Sequence, residues 1–356
     1  LQIALFAPGV STMSDLPSNI TAVGGRIVSL HGHLGQFSAS VRVAVDKTED
    51  AGIFSANADR RFDLVLDLCH EPLLRQSVLP YGYYAPGDDP TALVRALDNL
   101  PQLTGDFHQS KYFDYRPQLC AHGVVGVAGC TRCLDVCSTT AIRSTGEKIE
   151  VDPFLCQGCA SCSMACPTGA LDFVQSTPKA LQASLNQLLA EHAVDVNAHF
   201  LVVHDAATRH LLPTMEMPGA LLFEVNPLLA FSESLCLSAL VSGVSGVVLV
   251  MAPAIPLRSR KLIEQKVREL STILASLGGE PTVLQIATPM NVGIVIEKLK
   301  SGWGPSMLAV AVNDNTSGGK RAIFLALVDA YTQSRQTNPQ MSAPCALATG
   351  AAFGTI

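Results

Sequence analysis

Charge is scarce in this chain. Charged residues make up 15% of its 356 positions against 48% hydrophobic ones, and the net charge is −6. No basic excess exists to meet a phosphate backbone, so nucleic acid is not expected as a partner. No secretory or twin-arginine segment opens the sequence, and a cytoplasmic protein is expected. Leu1 rather than Met stands first, so the natural chain is expected to begin upstream. One uncharged apolar run, residues 235–252, approaches the length of a membrane span. Ser238, Ser242, Gly243, Ser245 and Gly246 interrupt it, and a buried helix, a glycine turn and a central strand are expected instead, with no membrane span.

Nucleotide signatures are missing too. Residues 1–117 hold no glycine fingerprint for a dinucleotide, and HGHLG at 31–35 is too short to be one. TSGGKR at 316–321 departs from a phosphate-binding loop, because Asp314 stands where its first glycine belongs and Arg321 replaces the Ser or Thr. It reads as a helix start capped by Thr316 or Ser317. His31 and His33 have no third ligand nearby and read as turn or surface residues.

Cysteine is sparse over most of the chain and dense in one stretch. Cys69, Cys236 and Cys345 lie apart, and Cys69 reads as a small buried hydrophobe. The other eight fall within residues 120–166 as two groups: Cys120, Cys130, Cys133, Cys137, then Cys156, Cys159, Cys162, Cys166. The second group is a C-x2-C-x2-C-x3-C-P run, the spacing with which thiolates hold iron–sulfur clusters. The first repeats the x2 and x3 spacings, but residues 121–129 separate its leading cysteine from the rest, which makes Cys120 the weakest of the eight assignments. In such runs the fourth cysteine ligates the other cluster. One 4Fe–4S cluster is therefore assigned to Cys120, Cys130, Cys133 and Cys166, and a second to Cys156, Cys159, Cys162 and Cys137. Structural zinc is the alternative. Zinc frameworks pair two C-x2-C units across a spacer, a plan that a C-x2-C-x2-C run does not follow. Disulfides fit less well in a chain of this length without a secretory segment.

At these residues, over about 118–175, the chain resembles the bacterial-type two-cluster ferredoxins, with IEVDPFLCQGC between the motifs and CPTGAL after them. It departs from them where Ser138 follows Cys137 in place of proline, which is expected to loosen that turn.

The flanks suggest an α/β multidomain chain. Residues 1–117 read as a small N-terminal α/β domain with strands at IALFAPG, on either side of HGHLG and at 61–68, and a helix at TALVRALDNL. The dicluster ferredoxin insert is placed at 118–176. Residues 177–340 read as a flavodoxin-like domain built on a C-terminal doubly wound parallel sheet, followed by a tail at 341–356. Its strands are FLVVHD, ALLFEV, GVVLVMA and TVLQIA. Its first helix has Thr177 as cap and Pro178 at its first position, and others are expected at 227–243, 257–277 and 290–300. In the 257–277 helix Ile263, Val267, Leu270, Leu274 and Leu277 keep one apolar face. Arg258, Arg260, Lys261, Lys266 and Arg268 make the other, open to solvent or to an acidic partner. Tyr81, Tyr83, Tyr84, Tyr112 and Tyr115 crowd before the first cysteine and are expected either to shield the clusters or to pack between domains.

The domain after the cysteines is similar to the delta subunit of methyl-viologen-reducing hydrogenases. That family carries a further cluster there, whereas only Cys236 and Cys345 follow here, so the resemblance implies a scaffold without that cofactor. The whole arrangement resembles the large iron–sulfur proteins encoded beside molybdenum formate dehydrogenases. It implies a chain continuing into another cysteine-rich unit, to which Cys345 would belong. The reading is electron transfer between redox protein partners, with a formate dehydrogenase-type system as the candidate and no catalytic residue on this chain. Its alternatives are a catalytic iron–sulfur oxidoreductase subunit with a flavin or nucleotide site, and a factor that delivers clusters or sulfur to a dehydrogenase.

Overall fold

The computed structural model of the chain describes residues 2–10, 16–123, 129–192, 200–212, 219–279, 283–301 and 319–336. They fall into two units. The first comprises Leu1–Ser110, Thr139–Ala141 and Asp152–Cys156, the second Lys111–Ser138, Ile142–Val151 and Gln157–Ile356.

In the first unit β1 (Ile3–Ala7) pairs in parallel with β2 (Ile20–Gly24). β3 (Arg26–His31), β4 (Ser38–Ala44) and β5 (Lys47–Asp50) form an antiparallel sheet in that order. The expected turn at HGHLG joins β3 to β4. β6 (Val65–Leu66) pairs in parallel with β7 (Tyr83–Tyr84), and α1 (Pro90–Asn99) starts behind Asp89, whose carboxylate accepts from the Thr91 N–H. Leu30, Phe37, Val41 and Tyr83 are the core, and Phe6 meets Phe54 and Phe62 edge to face.

The strand expected at 61–68 contracts to two residues. Asp67 is buried, and its carboxylate accepts from the Cys69 and Leu73 N–H groups and from Tyr83 Oη at 2.5 Å. The chain turns to meet that carboxylate, since an unpaired buried charge is costly. The same turn leaves Cys69 exposed, contrary to the buried role expected for it.

The second unit opens with short elements that frame the cysteines: β8 (Phe113–Tyr115), α2 (Arg132–Val136), β9 (Ile142–Ser144), β10 (Ile149–Val151), α3 (Ser161–Ala165) and β11 (Leu171–Phe173). β8 is antiparallel to β11, and β9 to β10. α4 (Pro178–Glu191) then begins as its sequence predicts, with Thr177 Oγ1 accepting from the Ala180 N–H.

β12 (Phe200–His204), α5 (Ala206–Arg209), β13 (Ala220–Glu224), α6 (Glu233–Val241), β14 (Gly246–Val250), α7 (Leu257–Ser276), β15 (Leu284–Ala287), α8 (Val292–Ser301) and α9 (Lys320–Gln336) complete the unit. The fold class is mixed α/β, and its centre is a four-stranded parallel sheet in the order β13-β12-β14-β15. Every residue of β12 and β14 is buried, as continuous apolar runs in central strands require, whereas edge strand β13 is partly open. Alternation along the strands sends side chains into two layers. Leu201, Val203, Val247 and Leu249 pack with Leu185 of α4, Leu237 of α6, Leu270 and Leu274 of α7, and Tyr331 of α9. Phe200, Val202, Val248 and Val250 pack with Val292, Ile296 and Leu299 of α8.

Residues 235–252 divide into α6, a turn at Gly243 and β14. Among the described residues no helix is long and apolar enough to cross a membrane. Cys236 is buried among apolar neighbours on α6, and burial pushes its thiol pKa up. On α7 the apolar face lies in the core as expected, but much of the basic face is engaged within the unit. Arg260 donates to the Pro253 carbonyl, and Lys266 lies between Glu233 at 2.9 Å and Glu269 at 3.1 Å. Thr316, Ser317 and Cys345 lie outside the described residues.

Candidate functional site

The two motifs build the same local object. α2 carries Cys133 and ends at Cys137, whose φ of −70° and ψ of 108° leave the helix for extended backbone. α3 carries Cys162 and ends at Cys166 with φ −70° and ψ 115°. A single helical turn between the third and fourth cysteines is what an x3 spacing produces. The extended exit then turns the fourth side chain away from its own loop.

Cys120, Cys130, Cys133 and Cys166 line one small cavity, open in part to solvent, whose walls include Ile149, Ala170 and Leu171. The set thus combines three cysteines of the first motif with the last of the second. Among the described residues no three His, Cys, Asp or Glu side chains stand as one metal ion would need them.

The long gap after Cys120 closes on itself. The Gly129 N–H donates to the His122 carbonyl at 2.7 Å and the Cys130 N–H to the Ala121 carbonyl at 3.1 Å. These two rungs hold Cys120 and Cys130 together whatever the length of chain between the rungs. His122 fastens the base: it is buried, with Nδ1 2.8 Å from the Cys130 carbonyl and Nε2 2.7 Å from Ser144 Oγ. Gly123 admits no side chain, because a Cβ there would lie 1.8 Å from the Glu147 carbonyl oxygen. Sequence reasoning missed His122, since a single histidine among glycines carries no spacing signal.

Cys159 Sγ lies 3.4 Å from Ser161 Oγ. Gly158 before it has φ +68°, and a Cβ there would meet the Tyr112 ring at 2.6 Å. Towards Cys156 the chain turns on Asp152, whose carboxylate accepts from the Phe154 and Leu155 N–H groups. After the first motif, Ser138 is buried with its hydroxyl unpaired.

Two of the five tyrosines stand at the cysteines. Tyr112 covers Gly158, and Tyr115 has a buried hydroxyl with no hydrogen-bond partner in geometry. Burial, then Cys120 beside it, raises Tyr115 to about 12. Tyr83 instead belongs to the first unit's core, on Asp67. His33 stacks on Phe154 at 4.8 Å, in line with its expected turn or surface role.

Electrostatics also fit a cationic occupant. Burial and the nearby Cys166, Cys130 and Cys120 push the Cys133 thiol up to about 12. Cys166 moves the other way: burial opposes ionisation, but the Leu171 and Thr168 N–H groups, the Thr168 hydroxyl and the Lys320 charge together lower its pKa. Iron bound among these sulfurs would ionise all four, and Tyr115 Oη could then donate to the Cys120 thiolate.

Two cations that spacing gave no reason to connect with the motifs reach them from the α/β part of the unit. Arg258 on α7 donates to the Cys137 carbonyl at 2.8 Å. Lys320 at the start of α9 donates to the carbonyls of Ser163, Met164 and Cys166 at 2.9, 3.1 and 3.1 Å. Between them, Ser161 and Ser259 share a buried hydrogen bond of 3.0 Å.

The family model of the 4Fe-4S dicluster domain matches residues 128–170, which hold every clustered cysteine except Cys120. The chain is also similar to formate hydrogenlyase subunit 2 of Escherichia coli strain K12, of E. coli O6:H1 and of Shigella flexneri, each 34% identical over 90 residues. That stretch is 25% of this chain and 40% of each relative, so the chain spans less than half the length of the curated relatives it matches. With cysteine spacing, cavity and family match in agreement, the chain carries an iron–sulfur domain of the 4Fe–4S dicluster ferredoxin type.

Proposed function

We propose that this chain is an electron-transfer protein or subunit that relays single electrons between redox protein partners through two 4Fe–4S clusters. Cys120, Cys130, Cys133 and Cys166 hold one, and Cys156, Cys159, Cys162 and Cys137 the other. The observation that carries the reading is the cavity shared by three cysteines of one motif and the last of the next, because that crossed set is what two-cluster ligation requires. When bound, such a cluster supplies a one-electron couple, with no bond made to a substrate. The protein's part is to hold the thiolates, restrict water and fix the charges around them.

On this reading residues 118–176 are the redox domain, residues 1–117 a small α/β domain and residues 177–340 a doubly wound, flavodoxin-like scaffold. Similarity to formate hydrogenlyase subunit 2 supports a partner within a formate-linked redox assembly. The test is iron and sulfide content, with electron paramagnetic resonance, on protein purified without oxygen and then reduced. The expected result is about eight irons and eight sulfides per chain, as two cuboidal clusters demand, with two coupled signals. Zinc in their place, or a single cluster, would sink the reading.

A further inference from the structure

α2 and α3 are too short to satisfy their own last carbonyls, and those groups need partners. Each helix end receives a cation from the α/β part of the same unit. Arg258 reaches the carbonyl of Cys137, and Lys320 those of Ser163, Met164 and Cys166. Cys137 and Cys166 are the motif-closing residues, assigned to different clusters. We propose that Arg258 and Lys320 are positioning residues that set the two reduction potentials separately, Arg258 for the cluster held by Cys137 and Lys320 for the one held by Cys166. The inference rests on the two-cluster reading above.

The physical argument is electrostatic. Reduction adds one negative charge to a cluster, and a fixed cation nearby favours that state, the more so where water is excluded. The two cations differ in their access to water: Arg258 is exposed beside the buried Ser259, whereas the Lys320 ammonium is enclosed by three carbonyls. Lys320 also has a counter-charge. Glu233 of α6 acts on it and is itself held ionised, against its burial, by Lys320 and Lys266. One oxygen of Glu233 meets Lys266 at 2.9 Å, while its other oxygen is buried without a hydrogen bond. Glu233 is therefore placed to offset Lys320, while Arg258 meets the Cys137 carbonyl. A cation serving only as a helix cap would stabilise the fold; it would not act on one cluster with a sign set by Glu233.

The test is a redox titration of the full chain followed by electron paramagnetic resonance, after iron and sulfide analysis confirms loading. Arg258→Met should lower one of the two midpoint potentials and Lys320→Met the other. Lys320→Met should shift the oxidised-to-reduced ratio about tenfold, or ~59 mV for one electron, and loss of the exposed Arg258 charge should shift it by less. Arg258→Lys should keep most of the wild-type value. Glu233→Gln should raise the potential that Lys320→Met lowers. Fully loaded variants whose potentials stay put, or move together, would overturn the inference. If Lys320→Met fails to hold iron, Glu233→Gln decides alone, with a rise in one potential as support and no change as refutation. A wild-type protein without two clusters would instead remove the reading underneath.

Discussion

The helix that carries Cys133 and the helix that carries Cys162 are each five residues long, and each ends in a cysteine with nearly the same extended backbone. Their surroundings differ at every other point. One follows a loop closed by His122, is trailed by Ser138 and is capped by Arg258. The other follows a left-handed Ala160 at φ 60°, is trailed by Pro167 and is capped by Lys320. The repeated piece is thus what local spacing enforces. Leading arm, trailing residue and cation were each solved separately by long-range contacts.

The strongest way to break this comparison is to remove one leading and one closing cysteine. On the proposed ligation, Cys120→Ala and Cys166→Ala should each cost about half of the bound iron and sulfide, since both are assigned to the same one of two clusters. Full iron in Cys120→Ala would mean that the first motif has no leading arm.

Next in size, His122→Ala leaves the Cys130 carbonyl and the Ser144 hydroxyl without their partner, at a cost of about 1–3 kcal/mol. One cluster should then release iron to a chelator sooner than the other, and equal release would contradict the asymmetry. Gly158→Ala makes the reciprocal perturbation through its positive φ and the Tyr112 ring. It should hasten loss of the other cluster.

A smaller contrast concerns the thiols themselves. Cys133 ionises only near pH 12, whereas Cys166 is held below the ordinary thiol range. As pH rises in iron-free chain, alkylation should therefore reach Cys166 before Cys133, and mass spectrometry of peptides from each pH step gives the order. The reverse order would mean that Lys320 and the N–H groups do not act on Cys166.

The smallest effect comes from making the motifs more alike. Cys137 already has the extended backbone that a following proline demands. Ser138→Pro should raise stability by about 0.4–1 kcal/mol through the unfolded chain, read as slower thermal loss of cluster absorbance. A marked loss would show that the turn after Cys137 needs the serine.

What could be seen in the sequence follows the range of the forces involved. β12 and β14 were visible because buried central strands demand unbroken apolar runs, and α4 because Thr177 and Pro178 cap it locally. The apolar stripe of α7 was visible for the same reason, whereas the destination of Arg258 on its other face was not. β6 came out short because Asp67 draws its hydrogen bonds from residues further along the chain. The helix expected from 227 starts only at Glu233, after a separate turn at Leu228–Ala230. In the site, the candidate cysteines were picked out by their spacing. His122, Lys320 and the role of Tyr115 were not, because each acts on residues remote in sequence or on a backbone group that any residue would offer.

The two rungs beneath the loop after Cys120 have one more consequence. Because they clamp the chain at Ala121, His122, Gly129 and Cys130, the spacing of Cys120 and Cys130 is set by these backbone bonds and not by the number of residues between them.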